Sequence, residues 1–105
     1  MSTVTIYVCN FDRFYGIEQF LIIARDYWAE KNNQSKSNQA NEYIEQINEQ
    51  KSLEPGGFEL EVPVDISKFA KESSQGVDGR LWEVLDANAE MKGDVEKGYR
   101  LLTSI

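Results

Sequence analysis

Hydrophobic and polar positions divide this chain into segments of two different periods. Over Thr3 to Cys9, Val4, Ile6 and Val8 alternate with Thr3, Thr5 and Tyr7. A period of two in β-branched and aromatic residues predicts a strand with one buried face. The period returns from Phe58 to Asp65, where Phe58, Leu60, Val62 and Val64 point one way and Glu59, Glu61, Pro63 and Asp65 the other. Pro63 cannot donate to a ladder, which predicts an edge strand or a bulge. The carboxylates along it also oppose edge-to-edge aggregation.

Helical spacing takes over between the two strands. Ile17, Phe20, Leu21, Ala24 and Trp28 recur on one face from Ile17 to Lys31, widened by Ile23 and Tyr27, while Glu18, Arg25, Asp26 and Glu30 lie elsewhere. A second helix is predicted from a cap at Asn38 or Asn41 to about Lys51, with Ala40, Tyr43, Ile44 and Ile47 on its apolar face. Asn10 to Gly16 is expected to be a turn carrying Phe11, Phe14 and Tyr15. The aperiodic polar stretch at about 32–39 is expected to be a loop, and the Glu-Pro-Gly-Gly run within about 53–57 a turn.

Beyond the second strand, a short helix is expected over Ile66 to Glu72, behind Asp65 or Ser67, followed by a loop from Ser73 to Gly79. A further helix is expected from Gly79 to Met91, capped by Asp78, burying Trp82, Leu85 and Ala89, and stopped by Gly93. The tail fits two patterns. Val95, Tyr99 and Leu102 suit a helix capped by Asp94, and Tyr99 to Ile105 suits a final strand. Gly98 weakens a helix and two lone strands need partners, so the strand is preferred. The resulting fold class is α+β: a small, mostly antiparallel sheet of about three strands covered by two to four helices, in a single domain over 1–105.

Composition narrows the chemistry. A hydrophobic content of 41% is too high for a disordered acidic tail. With no His, triads, Cys-His dyads and His-ligated zinc are excluded. The single cysteine, Cys9, supports neither an internal disulfide nor a multi-Cys metal site, and fits a small buried hydrophobe. No apolar run approaches the roughly 18 residues of a membrane span. Met1 to Val4 lacks the basic start of a secretory signal, so a cytoplasmic protein is expected.

The net charge of −7 is unevenly placed. Residues 1–41 are balanced, and residues 66–105 carry one excess acid. Residues 42–65 hold Glu42, Glu45, Glu49, Glu54, Glu59, Glu61 and Asp65 against Lys51 alone. Helical spacing puts Glu42, Glu45 and Glu49 on one face opposite the apolar stripe, and strand alternation aligns Glu59, Glu61 and Asp65. Uninterrupted acids at such spacing repel, and a basic partner would relieve them while the field steers its approach. An acidic domain is repelled by phosphate backbones and anionic lipids, so direct nucleic-acid or membrane binding is not expected.

Catalytic and metal readings are weaker. Strand carboxylates facing solvent lack the desolvation that makes a general acid or base. No calcium loop is present, and Pro55-Gly56-Gly57 has no following Lys-Ser/Thr pair to make a phosphate cradle. No enzyme activity, cofactor or metal is therefore expected. Trp28, Trp82 and Phe14 have the chemistry of interface anchors, but both tryptophans fit the core better.

The run Ile6-Tyr7-Val8-Cys9-Asn10-Phe11, followed by Phe14-Tyr15-Gly16, resembles the opening of ArdA-type antirestriction proteins. That resemblance implies an acidic DNA mimic that occupies the DNA-binding groove of a restriction enzyme. With the charge pattern, it leads to a non-enzymatic inhibitor that binds a basic surface of a nuclease or defence complex, as anti-restriction and anti-CRISPR proteins do. The contact surface would be Glu42, Glu45, Glu49, Glu54, Glu59, Glu61 and Asp65. Two alternatives remain open: an immunity protein that neutralises a toxin nuclease, and a structural or assembly protein whose charge serves only solubility and which forms a homodimer or larger homo-oligomer.

Overall fold

The two alternating segments become strands β1 (Thr3–Val8) and β2 (Phe58–Pro63). They pair antiparallel, with Val4 opposite Val62, Thr5 opposite Glu61, Ile6 opposite Leu60, and Tyr7 opposite Glu59. Ile6, Val8, Leu60 and Val62 are buried on the inner face, while Thr3, Thr5, Glu59 and Glu61 are exposed on the outer one. A single solvated face is ordinary for an antiparallel sheet, and it accounts for the clean alternation. The computed structural model describes residues 2–8, 11–50, 57–73 and 89–104. Gly57, at the end of the expected 53–57 turn, has φ of 91°, a left-handed conformation that favours glycine. The rest of that turn, Cys9, Asn10, and the expected loop and helix over 74–88 with Trp82 and Leu85 lie outside the described residues.

Helix α1 (Phe11–Glu30) begins where a turn was expected. It buries Phe14, Ile17, Phe20, Leu21, Ile23 and Ala24, and leaves Tyr27 and Trp28 half-buried. It ends on Asn32, whose φ is 59°. The Asn33 N–H donates to the Trp28 carbonyl (2.9 Å) and the Asn32 N–H to the Ala29 carbonyl (3.1 Å), a Schellman termination.

Asn33 then caps α2 (Gln34–Glu49), its side-chain oxygen accepting from the Lys36 N–H at 3.2 Å. The expected 32–39 loop is therefore mostly helix, and the cap is neither Asn38 nor Asn41. Ser37 explains why the apolar pattern failed there: it is buried against α1 and its hydroxyl donates to the Arg25 carbonyl (3.2 Å). A small polar side chain at a helix crossing leaves no hydrophobic mark in the sequence.

Val64 closes the β1–β2 ladder by donating its N–H to the Ser2 carbonyl (3.1 Å), and the next helix, α3 (65–73), begins at once. The Val64 carbonyl accepts from the Ser67 N–H (3.3 Å), so Val64, rather than Asp65 or Ser67, stands just ahead of the helix. The chain turns there, and Val64 is exposed instead of following the inward row of β2. Ile66, Phe69 and Ala70 of α3 are buried.

Helix α4 (Ala89–Thr103) replaces the expected final strand, and it runs through Gly93 rather than stopping there. The described sheet therefore has two strands, not three. The reason is the crossing of α4 with α1. A Cβ on Gly98 would lie 2.5 Å from the Gly16 carbonyl carbon and from the Ile17 nitrogen, so the two backbones touch only because that Cβ is absent. Val95 and Leu102 are buried beside this contact, and the Tyr99 ring sits 5.3 Å from Phe20. All six described elements contribute to one core, from Ile6 in β1 to Leu102 in α4.

Candidate partner-binding surface

Helix α2 buries Ser37, Ala40, Tyr43 and Ile47, which turns Glu42, Glu45 and Glu49 outward on its opposite side. All three are exposed. Glu49 opposes the helix's own dipole, since a helix is stabilised by acids in its first turn and bases in its last. Here the first turn has no acid but contains Lys36, and the last has no base but contains Glu49.

Glu59 and Glu61 are exposed on the outer face of β2. The C-terminal end of α2 is tied to this strand by Gln50. Its amide nitrogen donates to the Glu61 carbonyl (2.8 Å) and its amide oxygen accepts from the Glu61 N–H (2.7 Å). Asp65 is exposed at the first residue of α3. Burial pushes the Tyr43 phenol above its usual value; the Gln39 amide, donating to its oxygen at 2.7 Å, opposes this, and the charges of Asp65 and Glu42 add to it. Asp65 and Glu42 thus reach the same phenol from two helices. Glu42, Glu45, Glu49, Glu59, Glu61 and Asp65 are all exposed, on α2, β2 and the start of α3. Glu54 lies outside the described residues.

None of these six carboxylates has an ion-pair partner among the described residues. The recorded pairs lie elsewhere, Arg25 with Asp26 and Lys36 with Glu72. Lys36 also stands 4.5 Å over the Trp28 ring, whose Nε1–H donates to the buried Ser73 hydroxyl (2.9 Å). Trp28 is thus a half-buried junction of α1, α2 and α3, and Phe14 is core, 5.9 Å from Phe58. Lys36 holds the Glu72 carboxyl below the usual carboxylate range, through its hydrogen bond first and its charge second.

Two grooves escaped the sequence reading. One, of about 320 Å³, is lined by Gln39, Asp65, Lys68, Phe69 and Glu72. The last four recur at i, i+3, i+4 and i+7, a signal that was present once 65–73 is read as helix. The other, of about 310 Å³, is lined by Lys97, Arg100, Leu101 and Ser104 of α4. Reading Tyr99 to Ile105 as a strand hides it, because alternation sets Leu101 on the opposite face from Arg100 and Ser104 and leaves Lys97 outside the element.

Among the described residues, no group of three or more His, Cys, Asp or Glu side chains is placed to hold a metal ion, and no helix is long and apolar enough to cross a membrane. Comparisons with protein families, curated proteins and solved structures find no match to this chain.

Proposed function

We propose that this chain is a non-enzymatic inhibitor that occupies the basic nucleic-acid-binding surface of a nuclease or defence complex in the bacterial cytoplasm. The observation that carries the reading is the charge on α2. Glu42, Glu45 and Glu49 are exposed and unpaired among the described residues, and Glu49, in the last turn, is set against the helix dipole. Like charges at these spacings cost a few tenths of a kcal/mol per pair, and a misplaced terminal charge costs about 0.3–1 kcal/mol. Solubility alone does not require that arrangement, because interleaved lysines would give solubility without the repulsion. A basic partner surface relieves it, and Glu59, Glu61 and Asp65 extend the field over β2 and α3.

The test is binding to the partner captured from the native host. Association should weaken steeply as salt rises, because the approach is steered by charge. The triple variant E42K/E45K/E49K should lose binding while keeping its circular dichroism spectrum. Wild-type affinity in that folded variant would refute the reading.

A further inference from the structure

The alternation of β1 sets one aromatic side chain on its solvated face. Ile6 and Val8 turn inward, while Tyr7 stands with Thr3 and Thr5 on the outer face. At 57% exposure, Tyr7 is the most exposed large hydrophobic among the described residues. Its neighbours across the ladder are acids. The Val64 N–H donates to the Ser2 carbonyl, so Val4, Ile6 and Val8 form hydrogen-bonded pairs with Val62, Leu60 and Phe58. Tyr7 with Glu59, and Thr5 with Glu61, are therefore the pairs without ladder bonds, in which side chains approach most closely. Cβ atoms in such pairs stand about 4.5–5.5 Å apart, and diagonal neighbours about 7–8 Å. Glu59 is thus beside the Tyr7 ring and Glu61 diagonal to it. Gln50 holds both backbone groups of Glu61, which fixes the strand that carries the two carboxylates.

We propose that Tyr7 anchors an arginine side chain of the basic partner, the guanidinium lying on the exposed part of the ring and turning its N–H fork to Glu59. The inference rests on the reading of the acidic residues as a partner surface, and adds the side chain which that surface selects. Carboxylates alone attract any cation. A guanidinium is planar and weakly hydrated, so it stacks on an aromatic ring while its edge stays available to a carboxylate in bidentate geometry. An ammonium is a compact, strongly hydrated point charge with no flat face to stack. The ring therefore converts general attraction into a preference for arginine. Tyrosine suits the task, because it supplies a large contact area with only two side-chain torsions to fix, and tyrosine and arginine are among the residues enriched at binding hot spots. Charge decides the occupant. A second copy meeting this face would bring Glu59 and Glu61 against their own counterparts, and a neutral or acidic segment would leave both carboxylates unanswered.

The experiment titrates the full chain at low salt with two probes, an oligoarginine and an oligolysine peptide of equal length. Wild type should bind the arginine peptide more tightly. Tyr7→Val keeps β propensity and removes the ring, and should lose roughly two- to fivefold of affinity for the arginine peptide and little for the lysine peptide. Tyr7→Phe should keep the wild-type preference. E42K/E45K/E49K should weaken both peptides and leave their ratio unchanged. Nuclear magnetic resonance of the wild-type complex gives a readout independent of how any variant folds: Overhauser contacts between arginine Hδ protons and the Tyr7 ring. Equal affinity of wild type for the two peptides overturns the proposal, as does a preference undiminished in Tyr7→Val or a complex without contacts to the Tyr7 ring. In each of those cases a loss of binding in E42K/E45K/E49K leaves the acidic surface standing without its anchor. A wild type that binds neither peptide overturns both.

Discussion

Gly93 and Gly98 both lie inside α4, and the same substitution should have opposite signs at the two. A Cβ on Gly93 would meet nothing within 4 Å, so Gly93→Ala gains helix propensity and should stabilise the fold by roughly 0.5–1 kcal/mol. A Cβ on Gly98 would meet Gly16 and Ile17 backbone atoms at 2.5 Å, and backbone cannot move aside as a flexible side chain does. Overpacking of this kind costs about 1–3 kcal/mol and outweighs the propensity gain, so Gly98→Ala should lower the urea midpoint. Glu72 supplies a pH-dependent test. Its carboxyl is depressed in the folded state by Lys36, so its contribution is present above the ordinary carboxylate pKa of about 4.3 and is lost as pH falls through the folded value. Glu72→Gln should therefore be less stable than wild type at neutral pH, and the gap between their urea midpoints should close on acidification.

At the scale of elements, Glu49 separates stability from function. It occupies the last turn of α2, which contains no base, so Glu49→Lys replaces an unfavourable charge at the helix C-terminus by a favourable one. Thermal or urea unfolding should show a gain of about 0.3–1 kcal/mol, while partner binding weakens. A residue kept only for a soluble surface would show neither loss of binding nor a conflict between the two. The strands, the buried stripe of α1 and the acidic face of α2 were legible in the sequence, because each is a periodicity that one segment carries by itself. What was misread depended on contacts between segments. Gly16 suggested a turn and Gly98 argued against a helix, yet both are helical because α1 and α4 approach each other there. One backbone contact, which no local pattern records, accounts for both errors. Ser37 hid the first turns of α2 in the same way, by burying a polar side chain against Arg25 of α1. The acidic residues of the candidate surface were visible as a composition shift, whereas the opposition of Glu49 to the α2 dipole depended on knowing that the helix starts at Gln34 and ends at Glu49.

For the whole molecule, the decisive quantity is the range over which its charges act. The net charge of −7 is distributed over a body of 37 × 35 × 21 Å, so its long-range repulsion is felt at a Debye length of about 30 Å, in roughly 0.01 M salt, and is largely screened at about 8 Å, in roughly 0.15 M. Neighbouring acids on α2 are about 5–6 Å apart at their Cβ atoms, so their repulsion survives physiological salt and fades only towards 1 M, where the Debye length is about 3 Å. Wild-type stability should therefore rise with salt in two stages. The first reports the field of the whole chain and the second the ridge of Glu42, Glu45 and Glu49. The variant E42Q/E45Q/E49Q brings the net charge from −7 to −4 by removing three negative charges and puts no like charges in their place. It should lose most of the first stage and the ridge's share of the second. General effects of salt on apolar burial act on both proteins and cancel in the difference. Parallel curves for the two proteins, measured as urea midpoints across the salt series, would mean that the ridge costs the fold nothing, which would remove the energetic argument that it is kept for a basic partner.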